Sequence, residues 1–144
     1  MVPAWRHAMQ NERKIAVMVV TNHPIMRDGL RLRVQQEPDM HVVCEAGNVE
    51  QTLREFHFCR PDIALIDLQL PRGAGLTAMN AIRELSPRTP LVVLTNYPGD
   101  VDMSPRTGEG PTLVVSRTLV SEQLITAIRE ATSIADRAGT DNTN

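Results

Sequence analysis

The sequence predicts an α/β domain, a doubly wound five-stranded parallel sheet in the order 2-1-3-4-5, and three observations predict it. Five short apolar runs are separated by stretches with helical spacing. The runs are continuous rather than alternating, as in strands covered on both faces. The third run, Ile63 to Asp67, ends in a lone carboxylate, followed by Pro71 and Gly75 at equal steps of four. In open sheets of this kind ligands sit beyond the carboxyl ends of the strands, so the position of Asp67 asks for a functional explanation.

Ile15 to Val20 (IAVMVV) reads as the first buried strand, closed by Thr21-Asn22-His23-Pro24. Pro24 suits the first position of a helix, and Met26, Leu30 and Val34 repeat every fourth residue until Glu37-Pro38-Asp39 stops it. His41 to Ala46 is a shorter, more polar strand, expected near the sheet edge. Asn48 is the expected N-cap of the second helix, with Gln51 as its capping-box partner and Val49, Leu53 and Phe56 on one face. The third helix shows Leu76, Met79, Ile82 and Leu85 in steps of three before Ser86-Pro87, and Leu91 to Leu94 is the fourth strand. Pro98, Gly99, Pro105, Gly108, Gly110 and Pro111 then crowd the stretch where a fourth helix is due. Each Gly or internal Pro weakens a helix by about 1 to 3 kcal/mol, so that helix is expected to be short or disordered. Leu113-Val114-Val115 is the fifth strand. In the last helix Ser121 is the expected cap, Val120 staples onto Ile125, and Leu124, Ile128 and Ala131 carry the buried stripe.

A chain of 144 residues is the size of one domain, and its polarity divides it into a flexible N-terminal arm (1–13), the domain proper (14–134) and a polar tail (135–144). The formal net charge of -2 gives no electrostatic footprint for nucleic acid or an anionic membrane, so no direct nucleic-acid binding is expected. No segment approaches the ~20 apolar residues of a spanning helix, and the N-terminal stretch lacks the apolar run of a signal peptide. A cytoplasmic location is the expectation. Cys44 and Cys59 have neither CxxC nor histidine spacing and read as two ordinary buried or half-buried thiols, while His23 and His57 read as surface or turn residues.

The strand ends that flank the crevice supply Thr21 and Asn22, Asp67, Thr95 with Asn96, and Ser116 with Arg117. An acid, small hydroxyls, an amide and a guanidinium suit a phosphoryl group. Asp67 could accept it, Thr95 could hydrogen-bond one of its oxygens, and Arg117 could pair with its charge. From about Lys14 to Thr132 the chain resembles a response regulator receiver domain, of the class usually followed by a helix-turn-helix DNA-binding domain. The residues that carry the resemblance are HPIMRDGL after the first strand, LIDLQLP with Gly75 after the third, VVLT at the fourth, and VVSR followed by SEQLITAI at the end. It implies a flavodoxin-like receiver fold with Asp67 as the phosphoacceptor and Thr95 as the switch hydroxyl. Arg117 stands where the family has a lysine.

The departures from that pattern are specific. Where the family has two adjacent acids that hold Mg²⁺, this chain has Thr21 and Asn22. Asp67, a neutral Asn22 oxygen and the backbone carbonyl of Gln69 are the family-type ligands left, and the site is expected to bind Mg²⁺ weakly or to stand empty. Removing a carboxylate about 4 Å away forfeits several kcal/mol of gross attraction. Val114 occupies the position where the family usually has an aromatic ring that moves with the switch hydroxyl. The reading is therefore an atypical receiver of a two-component phosphorelay, working as an interaction or dimerisation module with weak or absent Mg²⁺-dependent phosphorylation. Its expected partners are a histidine kinase or other signalling protein, or a second copy. The alternative is a conventional receiver, phosphorylated on Asp67 by a histidine kinase and regulating transcription through a DNA-binding domain outside this chain. An enzyme is not expected. An aspartate-nucleophile phosphatase would want an acid where Gln69 stands, and a flavin site would want a small-residue phosphate loop where the chain reads Thr21 to Met26 without glycine.

Overall fold

The computed structural model describes residues 14–102 and 106–141. In chain order it has β1 (Ile15–Val20), α1 (Pro24–Gln35), β2 (Met40–Ala46), α2 (Val49–Cys59), β3 (Ile63–Asp67), α3 (Ala74–Leu85), β4 (Leu91–Thr95), β5 (Thr112–Ser116) and α4 (Val120–Asp141). Short 3₁₀ turns lie at Pro71–Gly73, Pro98–Asp100 and Arg117–Leu119. The strands pair in parallel in the order β2-β1-β3-β4-β5, as the alternation of apolar runs and helical stripes predicts.

Side chains of successive strand residues point to opposite faces, and each face meets its own pair of helices. Val17, Val19, Leu65 and Leu94 pack with Leu30 and Val34 of α1 and Leu124 and Ile128 of α4. Met18, Val20, Ala64 and Ile66 pack with Phe56 of α2 and Ala78 and Ile82 of α3. Each large side chain taken fully out of water contributes roughly 1.5–3 kcal/mol, so β1 and β3 are clamped from both sides and their carboxyl ends are held firmly.

The edge strand β2 carries a bulge. Val17 pairs with Val42 and Met18 with Cys44, so Val43 is the extra residue. One extra residue moves the side-chain alternation to the other face. Met40 and Val42 accordingly pack in the layer of α1 and α4, whereas Cys44 and Ala46 pack in the layer of α2.

Several local expectations are corrected. The buried residues of α3 are Gly75, Ala78 and Ile82, while Leu76 and Leu85 of the predicted stripe are 52% and 56% exposed. The cause is Gly75. A Cβ there would lie 2.5 Å from the carbonyl oxygen of Asp67, so α3 turns its small residues towards the sheet to approach the β3 loop closely. The cap before α4 is Ser116, whose Oγ accepts from the Thr118 N–H at 3.4 Å, because a 3₁₀ turn precedes the helix; Ser121 is exposed within it. The cap of α2 is the expected one, with Asn48 Oδ1 accepting from the Gln51 N–H at 2.8 Å and Gln51 Oε1 accepting from the Gly47 N–H at 2.9 Å. Helix α4 runs to Asp141, so residues 135–141 continue it. The N-terminal arm, residues 1–13, lies outside the described residues.

Between β4 and β5 the turn at Pro98–Asp100 stands in place of a full helix, as the crowding of Pro and Gly predicts. The far end of this connection is anchored by Arg83 of α3. Its Nη1 donates to the carbonyls of Pro87 (3.0 Å) and Thr89. Its Nη2 donates to the carbonyls of Gly110 and Pro111 (both 3.0 Å) and to Thr112 Oγ1 (2.8 Å). Burial lowers the guanidinium pKa from its ordinary value, yet five acceptors converge on it.

Candidate functional site

Asp67 is the last residue of β3 and is fully buried. The chain leaves the strand after it, with the Leu68 N–H still donating to the Leu94 carbonyl at 2.9 Å. The parallel register pairs Val20 with Ile66, which brings the next residues, Thr21 and Asp67, side by side. Thr21 Oγ1 donates to Asp67 Oδ2 at 2.9 Å. The backbone N–H of Gln69 donates to Oδ1 at 2.9 Å, closing a tight turn around the carboxylate. Arg117, immediately after β5, places Nη1 3.7 Å from Oδ1 with its side chain mostly shielded from water. Both carboxylate oxygens are thus engaged and a cation balances the charge, which is what a buried acid requires.

Thr21 is itself fully buried and tightly held. Its N–H donates to the Ala46 carbonyl at 2.9 Å, its carbonyl accepts from Arg27 Nη2 at 2.7 Å, and its Oγ1 accepts from the His23 N–H at 3.3 Å. On the other side, Thr95 is 3% exposed at the end of β4. Its Oγ1 accepts from the Tyr97 N–H at 3.1 Å and from Gln69 Nε2 at 3.3 Å. Val114, on β5, is half-buried, and Tyr97 beyond β4 is 64% exposed.

The structure thus gathers Asp67, Thr95 and Arg117 at one end of the sheet, with Gln69 linking Asp67 to Thr95 and Arg117 facing Asp67 directly. Asn22 is exposed, and among the described residues the bonds around Asp67 come from Thr21, Gln69 and Arg117. Gln69 turns its N–H to Asp67 and its amide to Thr95. The residue that sequence reasoning undervalued is Thr21, whose hydroxyl is a direct partner of the acid. The sequence places it just after the first run, and the pairing of β1 with β3 is what sets it beside the acid that closes the third.

Among the described residues no group of three or more His, Cys, Asp or Glu side chains gathers as a metal site. The donor set around Asp67 is a poor match to Mg²⁺, which takes a near-octahedral shell of hard oxygens. One carboxylate is present, both its oxygens already accept hydrogen bonds, and a guanidinium holds the adjacent space.

Comparison with known proteins agrees with this architecture. The model of the response regulator receiver domain family matches residues 17–129. The chain belongs to the response regulator receiver domain family, a class of regulatory modules rather than enzymes, and is a receiver module of two-component signalling. It is 31% identical over 121 residues to the transcriptional regulatory protein YxjL of Bacillus subtilis, covering 84% of this chain and 56% of that protein. It is 30% identical over 125 residues to the nitrate/nitrite response regulator protein NarL of Escherichia coli, covering 85% and 57%. The chain therefore spans little more than half the length of these relatives. The fold is shared with the response regulator domain of Thermotoga maritima CheB (TM-score 0.70, 21% identity, covering 85% of this chain and 98% of that one). It is shared also with the response regulator PhyR of Brucella abortus (TM-score 0.74, 19% identity, covering 96% and 57%). No helix among the described residues is long and apolar enough to cross a membrane.

Proposed function

We propose that this chain is an atypical receiver that works through protein contact, as a partner-docking or dimerisation module, with Mg²⁺-dependent phosphorylation of Asp67 weak or absent. The observation that carries the reading is the 2.9 Å hydrogen bond from Thr21 Oγ1 to Asp67 Oδ2, where the family pattern has an acid. Phosphoryl transfer to a carboxylate is mostly positioning and charge neutralisation. An incoming phosphoryl group would have to displace a donor from a fully buried acid without a divalent ion to take up the added charge. A switch further needs a group that senses the modified state, and Val114 offers no ring to report on Thr95. Asp67 on this reading is the inherited phosphoacceptor, with Thr95 and Arg117 as its former phosphate contacts and Asn22 and Gln69 as remnants of a metal site. The working domain is 14–134, a cytoplasmic module meeting a histidine kinase, another signalling protein or a second copy, and making no direct contact with nucleic acid.

A second reading is favoured by the relatives, of which YxjL is named a transcriptional regulatory protein and NarL a nitrate/nitrite response regulator, and both extend well beyond the matched region. In it Asp67 is phosphorylated by a histidine kinase and the parent protein regulates transcription through a DNA-binding domain. Titration with Mg²⁺ and beryllofluoride, followed by backbone amide shifts, separates the two. Silence at Asp67 and Thr95 is expected here. Saturable shifts there, together with phosphate uptake from acetyl phosphate that vanishes in Asp67→Asn, would establish the conventional switch.

A further inference from the structure

The two cysteines, fifteen positions apart in sequence, meet in the fold. Cys59 Sγ lies 3.7 Å from the carbonyl oxygen of Val43, the residue next to Cys44. Cys44 Sγ lies 3.9 Å from the carbonyl oxygen of Glu55, one turn before Cys59 in α2. Each thiol thus donates to a backbone carbonyl on the element that carries the other, which sets β2 and the end of α2 side by side at the two cysteines. The bulge is what makes this possible. In an unbroken strand Cys44 would share a face with Met40 and Val42, against α1 and α4; the extra residue at Val43 turns it to the face that α2 covers.

We propose that Cys44 and Cys59 are a modification site: a dithiol that closes reversibly to an intramolecular disulfide, tying the edge strand β2 to the C-terminal end of α2. The oxidant is of the peroxide class. The half-buried Cys59 is the thiol a peroxide reaches first, since Cys44 is buried. The Cys59 sulfur, as thiolate, attacks one peroxide oxygen, the O–O bond breaks, and with the proton given up by the thiol one water leaves, giving a sulfenic acid. The Cys44 sulfur then attacks the Cys59 sulfur, the S–O bond breaks, and the Cys44 proton departs with the hydroxide as a second water. Two thiols lose two electrons, and one peroxide gains them. Burial above all raises the Cys44 pKa, so Cys44 waits as a thiol and suits the second, resolving role.

The test is to treat the whole chain with hydrogen peroxide, denature it, alkylate it with iodoacetamide and weigh it intact. The expected product is a monomer that has lost two hydrogen atoms, takes up no iodoacetamide, and regains two alkylation sites after dithiothreitol. Cys59→Ala and Cys44→Ala, each checked for folding by circular dichroism, should both prevent the mass loss. The proposal is overturned if both thiols remain alkylatable. It is equally overturned if Cys59 gains oxygen while Cys44 stays free, or if the only disulfide joins two chains.

Discussion

Thr21 Oγ1 and Asp67 Oδ2 are 2.9 Å apart, and both residues are fully buried at the ends of adjacent central strands. The hydroxyl satisfies one carboxylate oxygen without adding charge. A second acid in its place would need a cation to offset the repulsion.

Thr21→Asp is therefore expected to make stability depend on Mg²⁺. Without the ion, the new carboxylate against Asp67 should cost about 1–3 kcal/mol. Saturating Mg²⁺ should restore roughly that amount, about 2.7 kcal/mol at a hundred times Kd. Thermal unfolding with and without Mg²⁺ checks this, and the parent chain should show no comparable shift.

Arg117 compensates the charge of a fully buried carboxylate. Arg117→Gln should destabilise the fold by about 1–3 kcal/mol, because Asp67 then keeps only the Thr21 and Gln69 donors. In the Asp67→Asn background the same substitution should cost much less. A double-mutant cycle by urea unfolding should give a coupling of about 1–2 kcal/mol, and a coupling near zero would make Arg117 a bystander.

Arg83 fastens the connection that replaces a helix before β5. Arg83→Ala should cost about 2–4 kcal/mol, since several mostly part-buried carbonyls lose a charged donor together. Lysine should rescue little, because a single ammonium cannot span five acceptors as a planar fork does. Amide exchange should rise first in residues 106–112.

Arg129 of α4 bonds to Asp39 at 2.5 and 3.1 Å and to Glu37 at 2.9 Å, tying the last helix to the turn between α1 and β2. The hydrogen bond from Arg129 holds the Asp39 carboxyl below its ordinary value of 3.8. A depressed folded pKa means that the contribution is present above the unfolded value and is lost as pH falls through the folded one. Arg129→Gln should therefore lower stability at neutral pH by about 0.2–1 kcal/mol, the range for solvated pairs. The gap between variant and parent should close as pH falls below the ordinary value of 3.8 and through the lowered one, and strong salt should narrow it at any pH.

The strands were legible because buried parallel strands leave unbroken apolar runs, and the turns because Pro and Gly punctuate them. The stripe of α3 was misread because Gly75 and Ala78 carry little hydrophobic weight. What turns them inward is the close backbone approach at Asp67, which no periodicity records. Asp67, Thr95 and Arg117 were visible as residues at strand ends. The engagement of Thr21 needed the register of β1 on β3, since a threonine after a strand reads equally well as β-branched packing. The meeting of the cysteines was hidden twice over, by chain separation and by a bulge that reverses the face on which Cys44 falls.

That bulge also acts as a key for alignment. The first half of β2 is keyed to one helical layer and the second half to the other, so the strand cannot slip by a residue without expelling apolar side chains from both. An irregular outer rim is likewise a poor template for another chain to add a strand alongside. The bulge thus disfavours growth of the sheet beyond β2 and favours the helices as the means by which copies would meet on this side of the molecule.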